Sequence, residues 1–96
     1  MLKLKENVLG GIFMVQSIAK IQDTVKDILL DFLKIDEQKV KLDSEFLNDF
    51  GCDSLDSIEL MVEVEESFGV KINDDEASNI VTVSDLINYI DLRLQI

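Results

Sequence analysis

The run Asp53-Ser54-Leu55-Asp56 holds the residue best placed to do chemistry. Asp53 can accept hydrogen bonds as an N-cap, and Asp56 stands three residues on, the acidic form of a capping box, so the run should open a helix. Ser54 then takes the first helical position. Unpaired backbone N–H groups and the positive end of the helix dipole favour an anion attached to its oxygen there. A serine bearing a phosphate or phosphodiester suits that place, and so does a serine that merely caps the helix. No other constellation competes. The chain has no histidine, which excludes Ser-His and Cys-His catalytic pairs and His-containing zinc sites. A calcium loop begun at Asn48 would put Phe50 and Cys52 where oxygen ligands belong, and one begun at Asp49 would need an acid at Leu60. Neither a catalytic residue nor a metal ligand is expected. Cys52 is the single cysteine, so no internal disulfide forms and a reducing compartment is expected.

The helix opened by Asp53 should run to about Phe68 and stop at Gly69. With 100° per residue, Leu60, Met61, Val64 and Phe68 share one stripe of the width expected for core packing. A second apolar group, Leu55, Ile58 and Val62, lies directly beside Asp56, Glu59, Glu63 and Glu66. Apolar residues bordered by acids on an outward arc suggest a docking surface. The competing reading is that Ile58 and Val62 widen the buried stripe against a neighbouring loop.

Charge points the same way. The chain has 20 acidic and 9 basic residues and a net charge of −11. Residues 43–76 hold twelve of those acids against Lys71 alone, so that segment carries the whole imbalance. Such clustering favours basic partners and disfavours nucleic acid and anionic lipid, although a merely solvated face would also be acidic.

The elements that must position Ser54 follow from spacing. Ninety-six residues make one domain, with no run of about 18 apolar residues to span a bilayer. No proline and only four glycines leave few of the turn-makers a strand-rich fold consumes, so a mostly helical fold is expected. Ile18, Ile21, Val25, Ile28, Leu29 and Phe32 predict an amphipathic helix over 17–34. Lys34 to Asp53 reads as a long loop pinned by scattered apolar residues, with one short turn at 44–49, and a loop that long in a compact domain needs a functional reason. Asn73 followed by three acids predicts a capped, short third helix near 74–80, and Thr82 to Asp85 predicts the cap of a fourth helix running to the end. Residues 1–16 differ from the rest and read as an extension. Their apolar stretch is short for a secretory signal and is broken by Gly10 and Gly11, and Met14 offers an alternative start.

Phe46 to Gly69, FLNDFGCDSLDSIELMVEVEESFG, closely resembles the acyl carrier proteins of type II fatty acid synthesis, whose mark is an Asp-Ser-Leu motif opening a glutamate-rich helix. The likeness begins at about Ser17 and continues through Val70-Lys71-Ile72, the acidic stretch at Asp74 to Ala77, and the closing helix. It implies an all-α four-helix bundle over 17–96, with a short third helix and a long loop between the first two. It also implies that the Ser54 hydroxyl receives 4′-phosphopantetheine from coenzyme A, and that the thiol of this arm carries acyl groups as thioesters while the protein catalyses nothing.

Carried over position by position, the resemblance makes Asp53, Leu55, Asp56, Ile58, Glu59, Val62 and Glu66 the partner surface, with Glu63 adding a further acid. The implied partners are a phosphopantetheinyl transferase, ketoacyl synthases, malonyl and acyl transferases, and the reductases and dehydratases of fatty acid synthesis. A cytoplasmic monomer of bacterial type is expected, with an organelle left open by the extension. Two departures stand out: Cys52, where small or apolar residues are usual, and Asn73, where the family often has proline. A polyketide or peptidyl-type carrier shares the serine motif, and an unmodified acidic interaction module would use the same patch with Ser54 as a cap.

Overall fold

A computed structural model describes residues 17–94; residues 1–16, read above as an extension, and the last two residues lie outside the described part. Within it, four helices and no strand are present: α1 (Ile18–Leu33), α2 (Ser54–Phe68), α3 (Asp74–Ala77) and α4 (Val83–Leu94). This is the expected all-α bundle.

Each long helix forms where its apolar spacing and end residues agree. In α1 the fully buried Ile21, Val25 and Leu29 recur every four residues, one stripe on one face. The Ser17 side chain accepts from the Lys20 N–H, and Lys34 closes the helix in the left-handed conformation with its own N–H on the Leu30 carbonyl. In α2 the buried stripe is Leu60, Val64 and Phe68, and Gly69, at φ 69°, ends the helix where a side chain would strain the backbone. In α4, Val83, Leu86, Ile87 and Ile90 are buried. Thr82 and Asp85 cap it reciprocally: Asp85 N–H donates to Thr82 Oγ1 at 3.1 Å, and Thr82 N–H donates to Asp85 Oδ2 at 3.0 Å. The core lies where α1 packs on α2 and α4.

The long loop is more ordered than its sequence suggests. A turn of 3-10 helix at Glu37–Lys39, absent from the expectation, precedes the turn that ends near Phe50. Buried Ser44 donates to the Lys39 carbonyl and accepts from the Lys41 N–H. Backbone bonds then sew the loop to the entrance of α4: Phe46 N–H to the Val81 carbonyl, Val83 N–H to that of Ser44, and Ser84 N–H to that of Leu42. Phe46 is buried and meets Phe50 edge-on. The loop's backbone thus finds partners a structureless segment would lack.

The third helix departs from expectation in two ways. It stops at Ala77 rather than near residue 80, because Asn79 and Ile80 donate three residues back and tighten the chain into a turn. Asn73 holds the N-cap position, but its side chain accepts no backbone N–H; its amide donates to Glu76 Oε1 instead.

Candidate functional site at the start of the second helix

Gly51, at φ 71°, turns the chain from the Phe50 turn into Cys52, and Cys52 N–H returns to the Phe46 carbonyl at 2.8 Å. That anchor fixes where α2 begins. Asp53 caps it: its Oδ1 accepts from Asp56 N–H at 2.8 Å, and Asp56 Oδ2 accepts from Asp53 N–H at 3.3 Å. The capping box is complete without Ser54, which occupies the first helical position with an exposed side chain. The side-chain capping bonds at this helix start are made by Asp53 and Asp56, and Ser54 makes none of them.

Behind Ser54 opens a cleft of about 650 Å³. Ile58, Met61 and Val62 of α2 form one wall, and Ile72, Ala77 and Ile80 around α3 form the facing one. Phe46 and Leu47 of the long loop close one end, and Ser54 stands on the rim. An apolar chain tethered to the serine would find apolar side chains to lie against there. Cys52 also lines the cleft, 2% exposed, and burial raises its thiol above the ordinary value, with the Asp56 and Asp53 charges acting in the same sense. It stays protonated and a poor nucleophile. Cys52, the departure from the family pattern in the sequence, is thus an interior residue of the cleft.

The outer arc of α2 is exposed. Leu55 and Ile58 are each 63% exposed and Val62 45%, while Asp53, Glu59 and Glu66 lie in solvent and Asp56 is half-buried. Helical spacing puts Leu55, Ile58, Glu59, Val62 and Glu66 on one face. Two residues of the arc do double duty, since Ile58 and Val62 also line the cleft. Glu63 turns away from it and borders α1, in a shallow acidic depression with Asp27 and Asp31.

Sequence reasoning missed two features of the site. Glu65 lines the cleft, and its Oε2 accepts from Ile72 N–H at 2.7 Å, tying the end of α2 to the segment after it. The signal was present, because Glu65 falls between Met61 and Ile58 on the helical wheel, an acid inside an apolar arc. On the far side of α3, Glu76 Oε1 accepts from Tyr89 Oη at 2.6 Å and lies 3.6 Å from the Arg93 guanidinium, which also donates to the Lys71 carbonyl. Desolvation, then the Glu76 carboxylate, holds the Tyr89 phenol above its ordinary value. No local spacing rule links residues this far apart.

Residues 23–90 match the family described as the phosphopantetheine attachment site, and the chain belongs to that family. It is also 44% identical over 69 residues to the acyl carrier protein of Campylobacter concisus, an alignment covering 72% of this chain and 90% of the relative. The class is one of non-catalytic carriers: this chain carries acyl groups, and 4′-phosphopantetheine is its cofactor. None of the described helices is long and apolar enough to cross a membrane.

Proposed function

We propose that Ser54 is the attachment residue and that the chain serves type II fatty acid synthesis, as a cytoplasmic monomer whose carrier domain spans 17–96. The observation that carries this reading is the exposed Ser54 hydroxyl, free of capping duty, on the rim of an apolar cleft. In the modification, Ser54 Oγ attacks the coenzyme A phosphorus that bears the pantetheine. A new phosphodiester forms, the adenosine bisphosphate half leaves, and the serine proton passes to a base of the transferase. The helix dipole favours the anion while Asp53 and Asp56 repel it, so the place suits an anion held covalently rather than a phosphate bound from solution.

The arm's thiol carries the acyl group as a thioester, and the cleft shelters the chain between encounters. Partners recognise the exposed arc: Asp53, Leu55, Asp56, Ile58, Glu59, Val62 and Glu66, with Glu63 contributing charge from the side. They are the phosphopantetheinyl transferase, then the ketoacyl synthases, malonyl and acyl transferases, reductases and dehydratases that act in turn.

Intact mass after co-expression with a phosphopantetheinyl transferase tests the attachment. A phosphopantetheine increment that disappears in Ser54→Ala supports it; an increment that survives moves the site, Ser57 being the nearest alternative. Loading of the holo-protein by purified fatty acid synthesis enzymes, but not by polyketide or peptidyl-type loading enzymes, tests the pathway.

A further inference from the structure

We propose that Tyr89 and Arg93, although on α4, are positioning residues for the acyl cleft: by holding Glu76 and the Lys71 carbonyl they fix the α3 wall and so set how a tethered acyl chain divides between cleft and solvent. The inference rests on the acyl-carrier reading of Ser54 and goes beyond it by saying what keeps the shelter closed.

The α3 wall is weakly held by packing. The helix has four residues and no buried side chain, far too few to be stable by itself. Ala77 and Ile80 are only partly buried against the core, and they are the same residues that face the cleft. Moving the Ala77–Ile80 part of the wall outward, with Ile72 left in the core, therefore costs little apolar burial. What resists it is polar and sits on the opposite side of the wall.

Tyr89 Oη donates to Glu76 Oε1 at 2.6 Å. Arg93 donates to the Lys71 carbonyl at 3.1 Å and pairs with the same Glu76 oxygen at 3.6 Å, while its guanidinium lies 5.3 Å from the centre of the Tyr89 ring. Lys71 and Glu76 each precede a wall residue, Ile72 and Ala77. The two anchors thus grip the wall at its start and within α3. The Glu65 carboxylate on Ile72 N–H holds the near side to α2, and Val81, just past the turn, is held by Phe46 and Asp85, so the α4 anchors on Glu76 restrain the middle of the α3 wall.

The test uses the whole holo-protein carrying either an acetyl or an octanoyl thioester, with excess hydroxylamine as the probe and hydroxamate release followed by mass. Each rate is referred to that of the matching free pantetheine thioester. Acetyl has too little apolar surface to favour the cleft and reports the exposed thioester, so octanoyl should be the more protected in the wild type. Tyr89→Phe and Arg93→Ala should each raise the octanoyl rate roughly 3- to 10-fold, the effect of losing one or two hydrogen bonds, and leave the acetyl rate unchanged. Glu76→Gln, whose amide oxygen still accepts from the phenol, should stay closer to wild type than Glu76→Ala. Tyr89→Phe removes one oxygen and keeps the packed ring, so it decides the question if Arg93→Ala fails to fold by circular dichroism. Octanoyl rates that do not move in Tyr89→Phe, or that rise together with the acetyl rates, overturn the positioning role. An arm absent from Ser54 overturns the attachment reading itself, and equal protection of acetyl and octanoyl in the wild type overturns the shelter.

Discussion

Val62 and Val64 stand two residues apart on α2 and on opposite sides of its surface: Val64 is fully buried, whereas Val62 is 45% exposed beside Ile58 and Glu59. Val64→Ala should cost about 1 to 3 kcal/mol of folding free energy through lost burial and the cavity left behind. Val62→Ala should cost about 0.5 kcal/mol or less, as expected for an exposed position, and should instead weaken partner binding. Chemical denaturation and a binding titration on both variants check the contrast. Equal destabilisation with unchanged affinity would make the outer arc core and remove it from the partner surface.

Asp53 and Ser54 should separate capping from attachment. Asp53→Ala breaks the capping box and should lose about 0.5 to 2 kcal/mol. Ser54→Ala leaves the box intact and should melt close to the wild type while accepting no phosphopantetheine. Thermal melts paired with intact mass read both outcomes.

Reversing Glu59 and Glu66 to Lys should slow association with a basic partner such as the transferase, and the defect should shrink as salt rises. Folding should be nearly unaffected, both side chains being exposed. Association rates measured across a salt series decide this; a defect in dissociation alone, insensitive to salt, counts against electrostatic steering.

Twelve acids against one lysine over residues 43–76 repel one another most at low ionic strength. Added salt or divalent cations should raise the melting temperature. A melting temperature that stays flat across the salt series, or ignores divalent ions, would show that the fold does not feel this repulsion.

Asp85 gives a pH signature. Backbone N–H groups of Thr82 and Val81 hold its carboxyl below the ordinary value. A group whose folded pKa is depressed stabilises fully above its unfolded pKa, about 4, and loses that contribution as pH falls through the folded value. Asp85→Asn should therefore be less stable than the wild type near neutrality, with the gap closing as pH drops below about 4. Melts of the pair across that range read the effect; a gap independent of pH would assign Asp85's contribution to something other than its charge.

The sequence by itself determined the parts whose causes are local. Apolar residues at three- and four-residue spacing are enough to define α1, α2 and α4, because a helix face is set by residues within a few turns of one another. The box at Asp53 and Asp56, and the one at Thr82 and Asp85, each close over three residues, so both helix starts were legible. The split of α2 into an inner and an outer arc was legible for the same reason.

Only the tertiary structure decided the rest, since it depends on groups distant in the chain. The long loop takes its order from bonds between residues 42–46 and 81–84, which no window of local pattern spans. The cleft is lined jointly by α2, the long loop and the α3 turn, so Ile58 and Val62 serve both cleft and surface. The third helix is short because Asn79 and Ile80 turn back on the carbonyls three residues earlier, and the Ile80–Val81 stretch is then drawn to the long loop through the Phe46 N–H on the Val81 carbonyl. Local propensity is worth fractions of a kcal/mol per residue, and contacts made across the fold override it at such weakly specified places.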